Sequence, residues 1–419
     1  MADRTALLIA FQFPPMRGTS AIQRTLRFAQ HLPKFGWRPI VLTATRGAYE
    51  VANPSTERDA GAIEVHRALA LDAARHLSIF GRYPLALAPP DRWRTWKYAA
   101  VLAALRLIRE QQVRVVWTTF PMATADEIGL AVAQRSRLPW EAEFRDPMRQ
   151  GDYPPDPRVN RAWKGMEERI FSRASRVFVT TPGAARDYRT RFPGFGESRI
   201  RIVENRFDEN AFAGAQSRID SRPTTPAGPG RRLTLLHGGV INPSERDPTC
   251  LFDALPSLKA GNDAVAGRLS LRLRAAGRDD LYRTMIAKRG IDDMVSLEPA
   301  IDCVSTLEEM LTVDGLLILQ AANCNSRVPA KLYEDFRAGR PIVALTDPAG
   351  DTAATVHATA AGLVSPLDSI AAIAATLREF VRRSDAQEWR VMSRAAAGCY
   401  SREHRTAELA ELFAEVSTR

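Results

Sequence analysis

Long apolar runs are missing from this sequence of 419 residues. The longest uninterrupted ones cover residues 98–105 and 315–319, far short of the ~20 residues that a membrane-spanning helix needs. The apolar stretch 6–11 is too short for a secretory signal, and no small-residue cleavage site follows it. We therefore expect a soluble, cytoplasmic protein.

Cysteine is scarce as well. The four cysteines (Cys250, Cys303, Cys324 and Cys399) lie far apart without C-x-x-C spacing, which argues against a disulfide scaffold and a structural zinc site. Hydrophobic residues make up 45% and charged residues 25% of the chain, an ordinary globular balance that excludes wholesale disorder. At this length we expect two domains.

Positive charge is unevenly distributed along the chain. The first 210 residues have a formal net charge of +11, and the remaining residues one of −1. Nucleic acid, an anionic membrane surface or a phosphorylated substrate would suit the basic half, and so would a solvated arginine-rich surface without a partner. Because no helix-turn-helix, zinc or RNP pattern accompanies the charge, we expect no nucleic-acid partner.

Strand and helix patterns alternate in both halves. Strands are predicted at 5–11, 38–44, 62–66, 113–119, 140–144, 176–181, 199–204, 233–237, 269–275, 294–297, 313–320 and 341–345. Helices are predicted, among others, at 20–32, 92–112, 123–134, 249–258 and 370–382, and after a capping box of Ser305 and Glu308. This alternation predicts an α/β protein with two Rossmann-like, doubly wound parallel-sheet domains facing a cleft.

The domain boundaries follow from composition. Residues 213–231 are rich in Gly, Ser, Pro and Thr and are predicted to be a linker. An N-terminal Rossmann-like domain would cover 1–212 and a C-terminal Rossmann-like domain 232–385. Residues 386–419 are predicted to be C-terminal helices that pack back on the first domain.

Several strands run into turns suited to a phosphate group. The first leads through Arg17 and Gly18 to a helix N-terminus, without the core of a P-loop or a GxGxxG motif. In the second half, Gly238 and Gly239 end one strand, with Arg246 shortly after, and Gly277 follows the next strand. Each turn alone is equally typical of ordinary βα packing, but their repetition favours a nucleotide site.

The segment 323–341 is the most specific. It joins a strand to a helix, so the free amides near residues 327–330 would face the cleft, and Ser326, Arg327 and Val328 are candidate ligand-binding residues. Lys331 and Glu334 lie three residues apart on one helix face, where a carboxylate can accept hydrogen bonds from a ribose diol and a lysine can offset phosphate charge. A surface ion pair is the alternative interpretation of this spacing.

At these residues the chain resembles the glycosyltransferases of GT-B architecture, and in particular glycosyltransferase family 4. The matching pieces, in order, are 13–18 with Arg24, 144–147, 176–183, 202–208, 237–239 with 246–248, and 329–341. The resemblance implies a retaining hexosyl transfer from a nucleoside-diphosphate sugar to a glycan or lipid-linked acceptor, in cell-surface polysaccharide or glycoconjugate synthesis. It implies no cofactor, because the nucleotide sugar is a substrate.

The resemblance also assigns roles. Glu334 matches the family's ribose-binding glutamate, Lys331 and Arg246 the cations that meet the diphosphate, and Gly18 the loop glycine. We expect Gly238, Gly239, Gly277 and residues 326–328 on the donor side, and Arg17, Arg145 and a catalytic Asp146 on the acceptor side. The family's first glutamate is replaced here by Ser326, and an arginine usual after Gly238 is missing. Since the cations can stabilise the leaving diphosphate, no metal is required.

One aromatic and basic cluster suggests a peripheral membrane contact. Tyr83, Arg92, Trp93, Arg94, Trp96 and Lys97 interleave the side chains that favour a headgroup interface. A long helix that packs its tryptophans inward explains the same residues. Two functional alternatives also stay open: a nucleotide-sugar epimerase on the same fold, and a non-catalytic scaffold that binds nucleotide or glycan.

Overall fold

The computed structural model describes residues 4–17, 21–78, 80, 82–83, 89–150, 153–221, 231–260 and 264–417. Its elements up to residue 204 are β1 (Arg4–Ile9), α1 (Ala21–His31), β2 (Trp37–Ala44), β3 (Glu64–Ala68), α2 (Ala73–His76), α3 (Trp96–Gln111), β4 (Val113–Phe120), α4 (Ala123–Ser136), β5 (Trp140–Phe144), α5 (Pro157–Arg173), β6 (Arg176–Val179), α6 (Pro182–Arg191) and β7 (Ile200–Ile202).

The elements that follow are α7 (Glu209–Asp220), β8 (Leu233–Gly238), α8 (Pro243–Arg246), α9 (Thr249–Ala260), α10 (Ala264–Arg268), β9 (Leu269–Arg274), α11 (Asp279–Arg289), β10 (Val295–Glu298), α12 (Cys303–Thr312), β11 (Gly315–Gln320), α13 (Ala330–Ala338), β12 (Ile342–Thr346), α14 (Asp351–Thr359), β13 (Gly362–Ser365), α15 (Ile370–Asp385), α16 (Arg394–Ala397) and α17 (Arg402–Ser417). None of the helices in the described ranges is long and apolar enough to cross a bilayer.

The chain divides into two compact units. Unit 1 comprises Met1–Glu204 and Arg402–Arg419, and unit 2 comprises Asn205–Ser401. The terminal helix α17 therefore belongs to unit 1, whereas the residues between α15 and α17 belong to unit 2.

Each unit has one parallel sheet. The strand order is β3-β2-β1-β4-β5-β6-β7 in unit 1 and β10-β9-β8-β11-β12-β13 in unit 2. In both sheets the first strand is central, and the order reverses beside it. The predicted fold class of two Rossmann-like parallel sheets is confirmed.

Both sheets are covered on two faces, because their strands are apolar on both sides. In β1, Leu7 and Ile9 pack into the cluster that contains α3 and α4 side chains, while Ala6 and Leu8 pack with side chains of α1 and α17. The sheet of unit 2 is divided in the same way, with α9, α11 and α15 on one face and α12, α13 and α14 on the other. Alternation of this kind is what buries a parallel sheet completely.

Three local predictions were wrong. The linker expected at 213–231 starts too early, because residues up to Asp220 form α7, which Asp208 caps and which buries Phe212 and Ala215. The helix expected at 92–112 begins only at Trp96, since the Asp91 carboxylate instead accepts the Trp93 amide.

The third concerns α12. Its N-cap is Asp302, whose carboxylate accepts the amides of Val304 and Ser305 at 3.0 Å each. Ser305, which was expected to cap the helix, donates its hydroxyl to Asp302 instead. A carboxylate at the helix start is favoured by the helix dipole.

Candidate active site

A cavity lies at the carboxyl edge of the sheet in unit 2, where the strand order reverses between β8 and β11. Its volume is about 250 Å³. Ligands of open parallel sheets bind at such reversal points, beyond the carboxyl ends of the strands. The cavity is lined by Leu236, Gly238, Gly239, Arg274, Ala275, Ala300, Ile301, Thr306, Glu309, Met310, Leu316, Lys331, Glu334 and Asp335.

Two glycines at the end of β8 form one wall. Gly239 has φ +114°, a conformation that side-chain-bearing residues rarely adopt, and a Cβ there would meet no atom within 4 Å. Its amide donates to the carbonyl of Arg274 at 2.9 Å, which ties the turn to the neighbouring strand β9. The backbone at Gly238 and Gly239 is therefore open to close approach by a ligand.

Lys331, in the first turn of α13, provides a cation at this wall. Its Nζ donates to the carbonyl of Leu317 at 2.9 Å and lies 3.2 Å from Nδ1 of His237. Burial lowers the pKa of the Lys331 amine, Asp335 and Glu334 raise it, and the positive charge of Arg246 lowers it further. The ammonium is thus held beside backbone carbonyl and ring nitrogen rather than by a carboxylate.

His237 is neutral in this setting. Burial, followed by the charge of Lys331, holds the pKa of the His237 ring well below its usual value. Within the described part of the chain its buried Nε2 has no hydrogen-bond partner. The neutral ring adds no positive charge at the end of β8, where Lys331 and Arg246 provide the cations.

Two carboxyl groups of α13 complete the cavity wall. Glu334 lines it three residues after Lys331, as predicted from the spacing. Asp335, which the sequence analysis missed, is buried, and burial raises its pKa to about 7 although the charge of Lys331 opposes this. The signal for Asp335 is its position four residues after Lys331, on the same helix face.

The predicted donor residues divide into two groups. Gly238, Gly239, Lys331 and Glu334 line the cavity. Arg246 does not, and its Nη1 donates to the carbonyl of Val240 at 2.6 Å, although its charge acts on Lys331 and His237.

The other predicted donor residues lie outside the lining. Gly277 has φ +85°, and a Cβ there would lie 3.2 Å from Val240. Val328 is buried, and the Arg327 guanidinium donates to Glu245 at 3.2 Å. Ser326 is part of the same loop. Arg274, Thr306 and Glu309 line the cavity instead, and no local sequence pattern marked them.

On the acceptor side, unit 1 places Arg145 and Asp146 directly after β5, at the carboxyl edge of its sheet. Arg17 is exposed, and its amide donates to the carbonyl of Val51 at 2.9 Å. Gly18 lies outside the described residues. Among the described residues, no three His, Cys, Asp or Glu side chains form a metal-binding group.

The tryptophans of the predicted membrane cluster pack inward. Trp96 is fully buried, and the Trp93 ring lies 4.8 Å from that of Phe11, centroid to centroid. Trp96 is therefore a core residue of unit 1, and Trp93 is partly buried against that core. The exposed face of α3 presents Tyr98 and Leu102 instead, 70% and 71% exposed.

The chain is similar to known proteins in part of its sequence and in its fold. Residues 21–206 match the family model of the glycosyl transferase 4-like domain. No curated protein matches the chain in sequence. HepE from Anabaena, crystallised with UDP, is 14% identical, with a TM-score of 0.66 over 98% of this chain and 100% of its own.

Two further solved structures share the fold. Sucrose-phosphate synthase from Thermosynechococcus elongatus is 13% identical, with a TM-score of 0.68 over 98% of each chain. A protein described as a UDP-N-acetylglucosamine 2-epimerase from Listeria monocytogenes is 11% identical, with a TM-score of 0.57 over 97% of this chain and 95% of its own. At these identities the structural likeness shows the fold alone, and the family match is confined to residues 21–206. Residues 21–206 are therefore similar to the glycosyl transferase 4-like domain, and the chain shares its two-domain fold with HepE and with sucrose-phosphate synthase.

Proposed function

We propose that this protein transfers a hexose from a nucleoside-diphosphate sugar to a glycan or lipid-linked acceptor, in the synthesis of cell-surface polysaccharide or glycoconjugate. The observation that carries the proposal is the convergence of Lys331, Glu334 and the Gly238–Gly239 backbone on one cavity of unit 2. HepE, with the same fold, has been crystallised with UDP and with UDP-glucose, which supports a nucleotide sugar as donor.

In this proposal unit 2 binds the donor. Glu334 accepts hydrogen bonds from the ribose diol, because an ionised carboxylate offers only acceptors and two oxygens. The diphosphate lies toward Lys331 and the backbone of Gly238 and Gly239, where the absence of side chains allows close approach. The nucleoside occupies the part of the cavity formed by Ala300, Ile301 and Met310.

The chemistry is the departure of a nucleoside diphosphate. As the bond between the anomeric carbon and the β-phosphate oxygen breaks, negative charge develops on the phosphate. Lys331 and Arg246 are cations that stabilise the transition state, in which this charge develops, more strongly than they stabilise the bound substrate. We therefore propose transfer without a metal ion. We further propose retention, in which the acceptor attacks from the face that the leaving group vacates and no base on the opposite face is needed.

The first experiment measures nucleotide binding. Isothermal titration of the full chain with UDP, GDP and ADP identifies the base, and Glu334→Ala is expected to weaken the best of them by about tenfold or more. Asp280→Asn, an exposed carboxylate on α11, is the matched control and leaves the affinity unchanged. An unchanged affinity in Glu334→Ala would mean that the ribose is not held there.

The second experiment separates transfer from the alternatives. The fold is shared with a protein described as an epimerase, so release of nucleoside diphosphate is measured from a panel of donors with and without a crude lipid extract. Release that requires the extract and persists in excess EDTA supports the proposal. Release without any acceptor favours an epimerase, and binding without release favours a scaffold.

We also propose that the lipid-linked acceptor is met at an anionic membrane surface. The exposed face of α3 carries Tyr98 and Leu102 beside the exposed cations Arg106 and Arg109, which suits a headgroup layer. Cosedimentation with vesicles containing phosphatidylglycerol tests this. Binding that falls in the double variant Tyr98→Ser, Leu102→Ser supports it, and no binding of the native chain at low salt removes it.

A further inference from the structure

Arg145 in unit 1 is a cation whose bonding capacity is largely unused. It follows the last residue of β5, at the carboxyl edge of the sheet, and Gln12 follows β1 at the same edge. The guanidinium donates from Nη1 to Oε1 of Gln12 at 3.4 Å, a long contact to a neutral group. Its Nε is buried and has no hydrogen-bond partner among the described residues.

The carboxylate of Glu143, two residues before Arg145 in the chain, already has hydrogen-bond partners. Oε1 of Glu143 accepts Nε and Nη2 of Arg24 at 3.1 and 2.7 Å, and its Oε2 accepts the Thr119 hydroxyl at 2.9 Å. Within the ranges that the structure covers, Arg145 forms no ion pair of its own. Glu143 is thus paired with Arg24, whereas the charges of Asp146 and Glu143 act on Arg145 without a salt bridge to it.

The backbone that presents Arg145 is held in place. The Thr180 hydroxyl donates to the carbonyl of Arg145 at 2.7 Å, and the Met148 amide donates to the Tyr188 hydroxyl at 2.9 Å. The guanidinium therefore does not depend on a loosely held loop for its position. A fixed arginine fork with free donors matches the geometry of a phosphate or a carboxylate.

The electrostatic setting agrees with this geometry. Burial, followed by the charge of Arg24, lowers the pKa of Arg145, whereas Asp146 and Glu143 raise it and Arg402 lowers it again. Burying a cation beside other cations lowers the stability of the folded chain. Such an arrangement is typical of a site where a bound anion offsets the unfavourable energy.

We propose that Arg145 binds an oxyanion of a substrate, a phosphate or carboxylate group, at the carboxyl edge of the sheet in unit 1. The inference rests on the proposed function, because it places a substrate group on the acceptor side. The oxyanion has two sources: a charged group of the acceptor, or the diphosphate of the donor. The experiment below has an arm for each.

Isothermal titration of the full chain with inorganic phosphate at constant ionic strength, first without UDP and then with UDP at saturation, tests the proposal. Saturating UDP blocks the cations of unit 2, so the remaining heat reports a second site. Saturable binding that weakens by about 10- to 100-fold in Arg145→Gln, and less in Arg145→Lys, is expected. The control Arg114→Gln removes the same charge from an exposed residue at the start of β4 and leaves binding unchanged.

The two sources give different results. If phosphate binds beside UDP, and Arg145→Gln leaves the UDP affinity intact, the oxyanion belongs to the acceptor. If UDP displaces phosphate, and Arg145→Gln weakens both, the oxyanion is the donor diphosphate. Phosphate binding that is absent even without UDP, or that is unchanged in Arg145→Gln, overturns the proposal. Failure of every nucleotide to bind, with phosphate still bound through Arg145, would instead contradict the proposed function.

Discussion

Arg24 in unit 1 and Lys331 in unit 2 are both cations withdrawn from solvent near the carboxyl edge of a parallel sheet, yet their partners differ. Arg24 donates two bonds to Glu143 and two more to the carbonyls of Val203 and Glu204, at 2.6 and 2.9 Å. Lys331 meets one carbonyl and one ring nitrogen, and forms no ion pair within the described chain. The charge of Arg24 is therefore neutralised within the protein and stabilises the fold, whereas the ammonium of Lys331 stays available to a ligand.

The largest effect is expected when the saturated cation is removed. Arg24→Met leaves the buried Glu143 without its cation and, among the described residues, with the Thr119 hydroxyl as its hydrogen-bond donor, which should cost about 3–5 kcal/mol of unfolding free energy in urea denaturation. The same change at Arg106, whose pair with Glu110 is exposed, should cost at most about 0.5 kcal/mol. The double variant Arg24→Met, Glu143→Leu should recover much of the loss. Equal stability of Arg24→Met and Arg106→Met would contradict a structural role for Arg24.

The opposite profile is expected for Lys331. Lys331→Met should reduce UDP affinity by about 10- to 100-fold, because a phosphate loses a charge-assisted hydrogen bond. It should lower the unfolding free energy less than Arg24→Met does. Arg24→Met breaks a salt bridge with a buried carboxylate, whereas Lys331→Met breaks none among the described residues. Lys288→Met, at an exposed position of α11, serves as the control for charge. Full UDP affinity in Lys331→Met would remove the distinction between the two cations.

Asp126 shows what a buried carboxylate does without a cation. Its Oδ1 accepts the Thr118 hydroxyl at 2.7 Å, and burial raises its pKa to about 8 from 3.8. Between these two values the folded chain binds the proton more tightly than the unfolded chain, so stability falls as pH rises from about 4 to 8 and is level above.

Asp126→Asn keeps an acceptor for Thr118 and removes the titration. The unfolding temperature of the variant, minus that of the native chain, should therefore increase by about 5 °C between pH 5 and pH 8. A difference that does not change with pH would place the Asp126 carboxylate in contact with water or with a cation.

The sequence predicted what depends on local pattern. The strand expected at 140–144 is β5, in which Trp140, Ala142 and Phe144 alternate with two glutamates at the period of a β-strand. The helix α7 was missed since its burial rests on Phe212 and Ala215 alone, within a composition typical of a linker. No pattern predicted β13, a short edge strand. Lys331 and Glu334 were predicted from helical spacing, whereas Arg274 and Glu309 reach the cavity from other strands and helices, which only the tertiary fold specifies.

The smallest effect on stability is expected at the N-terminus of α12, where the contact between Asp302 and Ser305 is exposed. Substitutions there test which of the two side chains accepts the backbone amides of the helix. Asp302 accepts two backbone amides, and its low pKa follows from hydrogen bonds with the side chain and amide of Ser305. Asp302→Ala should lower the unfolding free energy of the chain by about 1 kcal/mol, and Ser305→Ala by clearly less, because only the first strips acceptors from the helix start. Urea denaturation at pH 7 measures both. A larger loss for Ser305→Ala would restore the capping box that the sequence suggested. The expected order would show that stability depends on which side chain makes the hydrogen bonds. The same dependence that distinguishes Arg24 from Lys331 in the interior would then also hold for the weaker contacts at the surface.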